Sequence, residues 1–160
     1  MTIDWSKQGC GVLSAPAREV RRLMPDIEEI MDTFPDDEGD FTWDVKVHML
    51  FPRQYPCMPN WHADNVPRVY GIQRFELCRP ELPMYLWVSG APLTQFKHGY
   101  LEPRAWHRFT QLDEHRGTAA SEFCWRGFIR ATHKDIMSPI IGDHKRRHAQ
   151  VYLDAETYQW

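Results

Sequence analysis

The stretch Phe41-Thr42-Trp43-Asp44-Val45-Lys46-Val47-His48-Met49-Leu50-Phe51 decides the fold class. Phe41, Trp43, Val45, Val47, Met49 and Phe51 share one parity, while Thr42, Asp44, Lys46 and His48 share the other. A period of two places alternate side chains on opposite faces of a strand, so this pattern predicts a long strand buried on one side. His48, on the polar parity, is expected to be exposed.

Upstream, the period lengthens. Val20, Leu23, Met24, Ile27, Ile30, Met31 and Phe34 recur at steps of three and four, one apolar stripe of a helix packed on a sheet. Ser14 is placed to cap its start, with Pro16 in the first turn. Pro25 has no amide proton and should kink the segment or divide it in two. Pro35-Asp36-Asp37-Glu38-Gly39 ends it.

Downstream, prolines at 52, 56, 59 and 67 predict a loop-rich passage. Met84 to Val88 reads as a strand, as does Phe123 to Thr132 with Gly127 as a bulge. Arg146 to Leu153 alternates again, with Arg147, Ala149, Val151 and Leu153 on one face. No repeat, low-complexity tract or linker interrupts the chain. The expectation is a single domain over 1–160: an N-terminal helical support over 1–40 and a β core over 41–160, mostly β in an α+β arrangement.

Composition narrows the function classes. The 160 residues are 42% hydrophobic, 13% aromatic and 26% charged, a folded chain with bulk for a sandwich or barrel interior. A net charge of −3 argues against nucleic acid as a general partner, because such binders need a cationic excess to displace counterions. Lys145-Arg146-Arg147 reads as a solvated surface turn. No apolar run reaches bilayer length, so no membrane partner is expected. Residues 1–11 lack the basic start and apolar stretch of a secretory signal, which points to a cytoplasmic location. Cys10, Cys57, Cys78 and Cys124 form no paired motif and read as reduced thiols.

Chemistry is suggested by three features. In Trp61-His62-Ala63-Asp64, His62 and Asp64 are two residues apart and on an extended chain point to the same side. His133 ends the strand Gly127-Phe128-Ile129-Arg130-Ala131-Thr132 with the parity of Ile129 and Ala131, so it is expected to face inward. Arg147 shares the apolar parity of the last strand, where a guanidinium is costly unless it meets an anion. Two histidines and a carboxylate with open positions suit ferrous iron and oxygen chemistry. An arginine beyond them can hold a dicarboxylate by a bidentate pair.

On these residues the chain resembles the Fe(II)/2-oxoglutarate-dependent dioxygenases, which fold as a double-stranded β-helix, or jelly roll. The resemblance rests on His62-x-Asp64, on His133 as distal histidine and on the run from Arg146 to Leu153. It implies His62, Asp64 and His133 as iron ligands, and Arg147 or Arg146 as partner of the distal 2-oxoglutarate carboxylate. The cofactors implied are Fe(II) and 2-oxoglutarate, with hydroxylation of a small-molecule substrate as the activity.

Other constellations point elsewhere. His107 or His115 could act as a general base oriented by Asp113 or Glu114, but no nucleophile motif accompanies them, and a solvated loop is the expectation. Phosphate loops and dinucleotide fingerprints are absent. Aromatic and basic neighbours recur: Trp61 with Arg68, Tyr70 with Arg74, Trp106 with Arg108, Trp125 with Arg126. Such pairs can stack a base and neutralise a phosphate, the alternative being a non-catalytic protein that sequesters a nucleotide or cyclic nucleotide. A homo-oligomer could supply half of such a pocket. A third reading is a protein-interaction domain presenting an exposed aromatic patch.

Overall fold

The computed structural model describes residues 2–137 and 140–153. Its main element is a six-stranded sheet built around β2 (Phe41–Leu50) and β10 (Cys124–His133). These two pair antiparallel along their whole length, from Phe41 opposite His133 to Leu50 opposite Cys124. Their flanks are β1 (Gly11–Pro16) and the edge strand β11 (Lys145–Arg147) on one side, β5 (Met84–Val88) and β8 (His107–Phe109) on the other. The strand order is β11-β1-β2-β10-β5-β8, antiparallel at every step. A smaller sheet, β7 (Gly99–Tyr100), β6 (Thr94–Phe96) and β9 (His115–Gly117), has the order β7-β6-β9. A backbone bridge between His62 and His115 extends it by one segment. β3 (Arg68–Val69) and β4 (Ile72–Gln73) form a separate hairpin.

The mostly β fold expected from the sequence is present. The apolar stripe forms α1 (Ala17–Leu23), a 3-10 turn at Pro25–Ile27 and α2 (Glu28–Met31), so Pro25 divides the helical segment. Val20, Met24, Ile27 and Met31 are buried against Leu13, Trp43, Val45, Val47, Ile129 and Ala131. The helical layer thus covers one face of the large sheet. β5 serves both faces: Tyr85 and Trp87 join that core, while Met84, Leu86 and Val88 pack with Phe96, Leu101 and Phe109 of the smaller sheet's side. No helix among the described residues is long and apolar enough to cross a membrane.

Four expectations need correction. Ser14 is not a helix cap: it lies inside β1, and Pro16 occupies the cap position. Gly127 is not a bulge, because register continues through it. It is small because Trp5 lies flat on it, and a Cβ there would meet the indole at 2.4 Å. The last strand spans only Lys145–Arg147, and beyond it Tyr152 makes a backbone bridge to Tyr55. β2 is not half-buried: Thr42, Asp44 and His48 are 9%, 2% and 2% exposed. The loop after β2 and the smaller sheet cover the side that alternation alone would leave to solvent.

Candidate metal centre

The polar parity of β2 faces the polar parity of β10. Asp44, Lys46 and His48 stand opposite Arg130, Phe128 and Arg126 in register, all on the covered inner face. Arg130 joins two carboxylates: its Nη2 is 2.8 Å from Asp44 Oδ2 and its Nη1 is 2.7 Å from Asp64 Oδ2. Burial would lower the Arg130 pKa, yet the Asp64 and Asp44 charges hold it above its usual value. Burial likewise pushes the Asp64 carboxyl up, but Arg130 and His115 outweigh it and leave it below the usual carboxylate range.

The other oxygen of Asp64 faces two imidazoles. Asp64 Oδ1 is 3.5 Å from His115 Nε2 and 3.8 Å from His62 Nε2. One ligand atom from each of the three residues lies within 4.8 Å of the others. Donors around a metal at about 2.1 Å sit roughly 3–3.4 Å apart, so a small contraction would seat an ion. Both rings are oriented from behind. His62 Nδ1 donates to Asn60 O at 2.8 Å and His115 Nδ1 to Asp113 O at 3.3 Å, which turns both Nε2 atoms toward Asp64. Metal-bound histidines are commonly oriented by such a bond from the other nitrogen. Burial depresses the His62 pKa, which keeps the imidazole neutral and able to ligate near pH 7.

Local folding explains the meeting. His62 and His115 exchange backbone hydrogen bonds, His62 N–H to His115 O at 3.0 Å and the reverse at 2.8 Å. That cross-strand pairing sets their rings 4.5 Å apart. His115 is further stacked on Phe96 at 4.8 Å, so its plane is fixed from behind. A cavity of about 180 Å³ opens beside the three residues, reaching Lys46, Cys57, Thr94 and Arg147. Burial lowers Lys46 to about 8 and raises Cys57 to about 11.

Next to Thr94 stands Arg126, 2% exposed. Its Nη2 donates to Thr94 Oγ1 at 2.7 Å, its Nε has no partner, and it has no carboxylate partner among the described residues. Burial lowers its pKa to about 10.

The residues expected from sequence are distributed differently. His62 and Asp64 come together as the dipeptide spacing suggests. His133 does not join them: it shares the parity of Ile129 and Ala131 on the helix-covered face, edge-on to Phe41 at 5.5 Å. His115, read from sequence as part of a solvated loop, is 5% exposed and takes the third position. Arg147 lines the cavity but is engaged by Ser14 at 2.8 Å and Asp44 at 3.4 Å. Arg146 lies on the opposite face, beside Leu13, Val45 and Val47. His48 is buried, not exposed, and neither ring nitrogen has a partner.

The aromatic and basic pairs do not converge on one pocket. Trp61 carries Lys97 at 3.8 Å and Arg116 at 4.7 Å over its ring. Arg68 bonds Gly71 O within the small hairpin, whose tip presents Tyr70 at 99% exposure. Trp106 packs on Phe34 and Trp43 on the helix-covered side, and Arg108 sits opposite Tyr85 on β8. The apolar exposure that an interaction domain would use runs through Tyr70, Ile72, Phe75 and Leu77. His107 bonds Glu102 O, and the Asp113 carboxylate closes a turn on Thr110, so that only the Asp113 backbone carbonyl orients His115. A larger cavity of about 440 Å³, among Trp5, Trp87, Trp125 and Arg104, lies away from these groups. Asp44 and Arg130 escaped the sequence reading as site residues, and Arg126 entered it only as the neighbour of Trp125 in an aromatic and basic pair. Comparison of the chain with family models, with curated proteins and with solved structures returns no match.

Proposed function

We propose that this protein is an Fe(II)/2-oxoglutarate-dependent oxygenase in which His62, Asp64 and His115 hold the metal. One observation carries the reading: two imidazoles, each oriented by a backbone carbonyl, present Nε2 to one oxygen of a carboxylate beside a cavity. A two-histidine, one-carboxylate set on one side of the ion leaves positions open for ligands, as ferrous oxygen chemistry requires.

Two further features support it. The chain passes back and forth between two antiparallel sheets, from β2 to the His62 segment, to β5, to β6 and β7, to β8, to β9 and to β10. That alternation is what a double-stranded β-helix reading asks of it. Arg126 is the second feature. A buried guanidinium with an open Nε and no carboxylate partner calls for an anion, and Thr94 carries the cavity toward it. In this reading Arg126 takes the distal carboxylate, the role expected from the sequence for Arg147 or Arg146. Fe(II) bound here would activate O2, one oxygen atom going into a C–H bond as the hydroxyl and the other into 2-oxoglutarate, which would leave as succinate and CO2. The chain's own part is to hold the ligand geometry, pair the carboxylate and exclude water. At about 180 Å³ the cavity falls below the roughly 300 Å³ usual for drug-sized ligands, which suits a five-carbon diacid better than a nucleotide.

The test is an anaerobic titration with Fe(II) and 2-oxoglutarate, following the visible charge-transfer band of the chelated metal. The band is expected to saturate at one equivalent, to vanish in His62→Ala and His115→Ala, and to persist in His133→Ala. Metal uptake with no band on adding 2-oxoglutarate would sink the oxygenase reading while leaving a metal site. Arg126→Met is expected to raise the 2-oxoglutarate concentration needed, with metal affinity unchanged.

A further inference from the structure

The metal-facing oxygen of Asp64 is set by a line of charges that ends at the edge of the large sheet. Asp64 gives Oδ2 to Arg130 at 2.7 Å, which leaves Oδ1 for the imidazoles. Arg130 is held at its other end by Asp44 Oδ2, through Nη2 at 2.8 Å and Nε at 3.3 Å. Asp44, with a side chain 3% exposed, gives its remaining oxygen to the Ser14 hydroxyl and, at 3.4 Å, to Arg147 Nη2. Ser14 in turn accepts from Arg147 Nη2 at 2.8 Å. Two arginines and two carboxylates therefore alternate from β11 through β1, β2 and β10 to the His62 loop, neutral as a set.

We infer that Asp44 and Arg147 are positioning residues for the metal centre, so that docking of strand β11 tunes how Asp64 meets the ion; the inference rests on the metal reading above. The physical reason is the shared Arg130. A guanidinium pinned by two carboxylates has one orientation and divides its charge between them. Released from Asp44, Arg130 would turn its full charge on Asp64 and compete with a cation for the carboxylate. Arg147 fixes Asp44 from the far side. It belongs to a three-residue edge strand whose residues are all exposed and which is joined to the sheet by three register pairs with β1.

The sign of one substitution separates this device from simple charge. Arg147→Ala removes a positive charge near the centre, and through-space electrostatics alone would tighten cation binding. Positioning through Asp44 predicts weaker binding instead. The experiment is Co(II) titration of the full-length apo-protein and its variants against a chelator of known affinity, with the ligand-field spectrum recorded. Asp44→Asn is expected to lower Co(II) affinity by about 10- to 100-fold, the range seen when partners of metal ligands are lost. Arg147→Ala should lower it by about 10-fold or less and shift the same bands, with Arg147→Lys recovering part of both. In the double variant Arg147→Ala should add nothing to Asp44→Asn, because it acts through that residue. Unchanged or tighter Co(II) binding in Arg147→Ala overturns the inference, as do effects that multiply in the double variant. Should Asp44→Asn fail to fold, Arg147→Ala at the exposed edge decides alone. A wild-type chain that takes up no Co(II) overturns the metal reading itself, and the inference with it.

Discussion

The two faces of the β2–β10 pair solve burial in opposite ways. On the helix-covered face, Trp43, Val45, Ile129 and Ala131 are 0–1% exposed and need only shape and apolar area. On the inner face, Asp44, His48, Arg126 and Thr132 are buried just as deeply, at 0–2% exposure, yet carry charges or polar atoms. The first face is stabilised by what it removes from water. The second holds together only where each charge meets its counterpart, and where none does, as at Arg126, His48 and Thr132, polar atoms are left open. Among the described residues the buried side-chain polar atoms left without a partner all fall on this inner face, the one that also carries the cavity and the candidate ligands, and that is the teaching of the contrast.

The largest expected effect breaks the contrast at neighbouring residues. Ile129→Ala opens a cavity in the apolar layer and should cost about 2–5 kcal/mol, with little dependence on pH. Arg130→Leu leaves Asp44 and Asp64 buried without their cation and should cost about 3–5 kcal/mol. The two losses overlap in size but differ in cause. Adding Asp44→Asn and Asp64→Asn should return much of the Arg130→Leu loss and none of the Ile129→Ala loss. Urea midpoints of the four chains at one pH measure this, and equal behaviour of both backgrounds would show that charge compensation is not what the inner face supplies.

The contrast also shows where sequence reading stops. The alternation of β2, the apolar run of β5, the strand reading of β10 and the apolar stripe of the N-terminal segment are legible because each is a local pattern, and Pro25 divides the helix by its own chemistry. The second covered face is not legible. Asp44 meets Arg130 across 86 residues, and nothing near either announces the other. His133 illustrates the same limit: its parity does say inward, but β10 has two interiors, and parity cannot tell the apolar one from the polar one. His115 sits on a three-residue strand, too short to show a period, and only its backbone pairing with His62 brings it to the site. Arg147 was expected to meet an anion, and it does, but the anion is Asp44 of the chain itself.

A middle-sized effect sharpens the inner face through pH. Burial, with Lys46 and Arg126 adding to it, lowers His48 from 6.5 to about 2. Between those values the unfolded chain binds a proton that the folded chain refuses, so stability rises with pH across the window and is lost as pH falls below about 6.5. At pH 5 the unfolded form gains about 1.5 pH units of protonation, or roughly 2 kcal/mol against pH 7. His48→Leu should be close to neutral at pH 7, since neither ring nitrogen has a partner, and should remove most of that loss at pH 5. Urea midpoints of both chains at the two pH values suffice. A variant as acid-sensitive as the wild type would place the proton elsewhere.

The smallest effect reverses the usual sign. Thr132 is 0% exposed on the inner face, opposite Thr42 and Met84, and its hydroxyl has no partner. Valine has nearly the same shape and removes the stranded oxygen, so Thr132→Val should leave stability unchanged or raise it by up to about 1 kcal/mol. The control is Ser14→Ala on the same face. There the hydroxyl both receives from Arg147 and gives to Asp44, so its loss should cost about 1 kcal/mol or more. Opposite signs from two hydroxyl deletions on one buried face would show that partnership, rather than burial, decides what a polar atom there contributes. If Thr132→Val is as costly as Ser14→Ala, the hydroxyl of Thr132 has a partner in solution, and the inner face is better satisfied than its geometry implies.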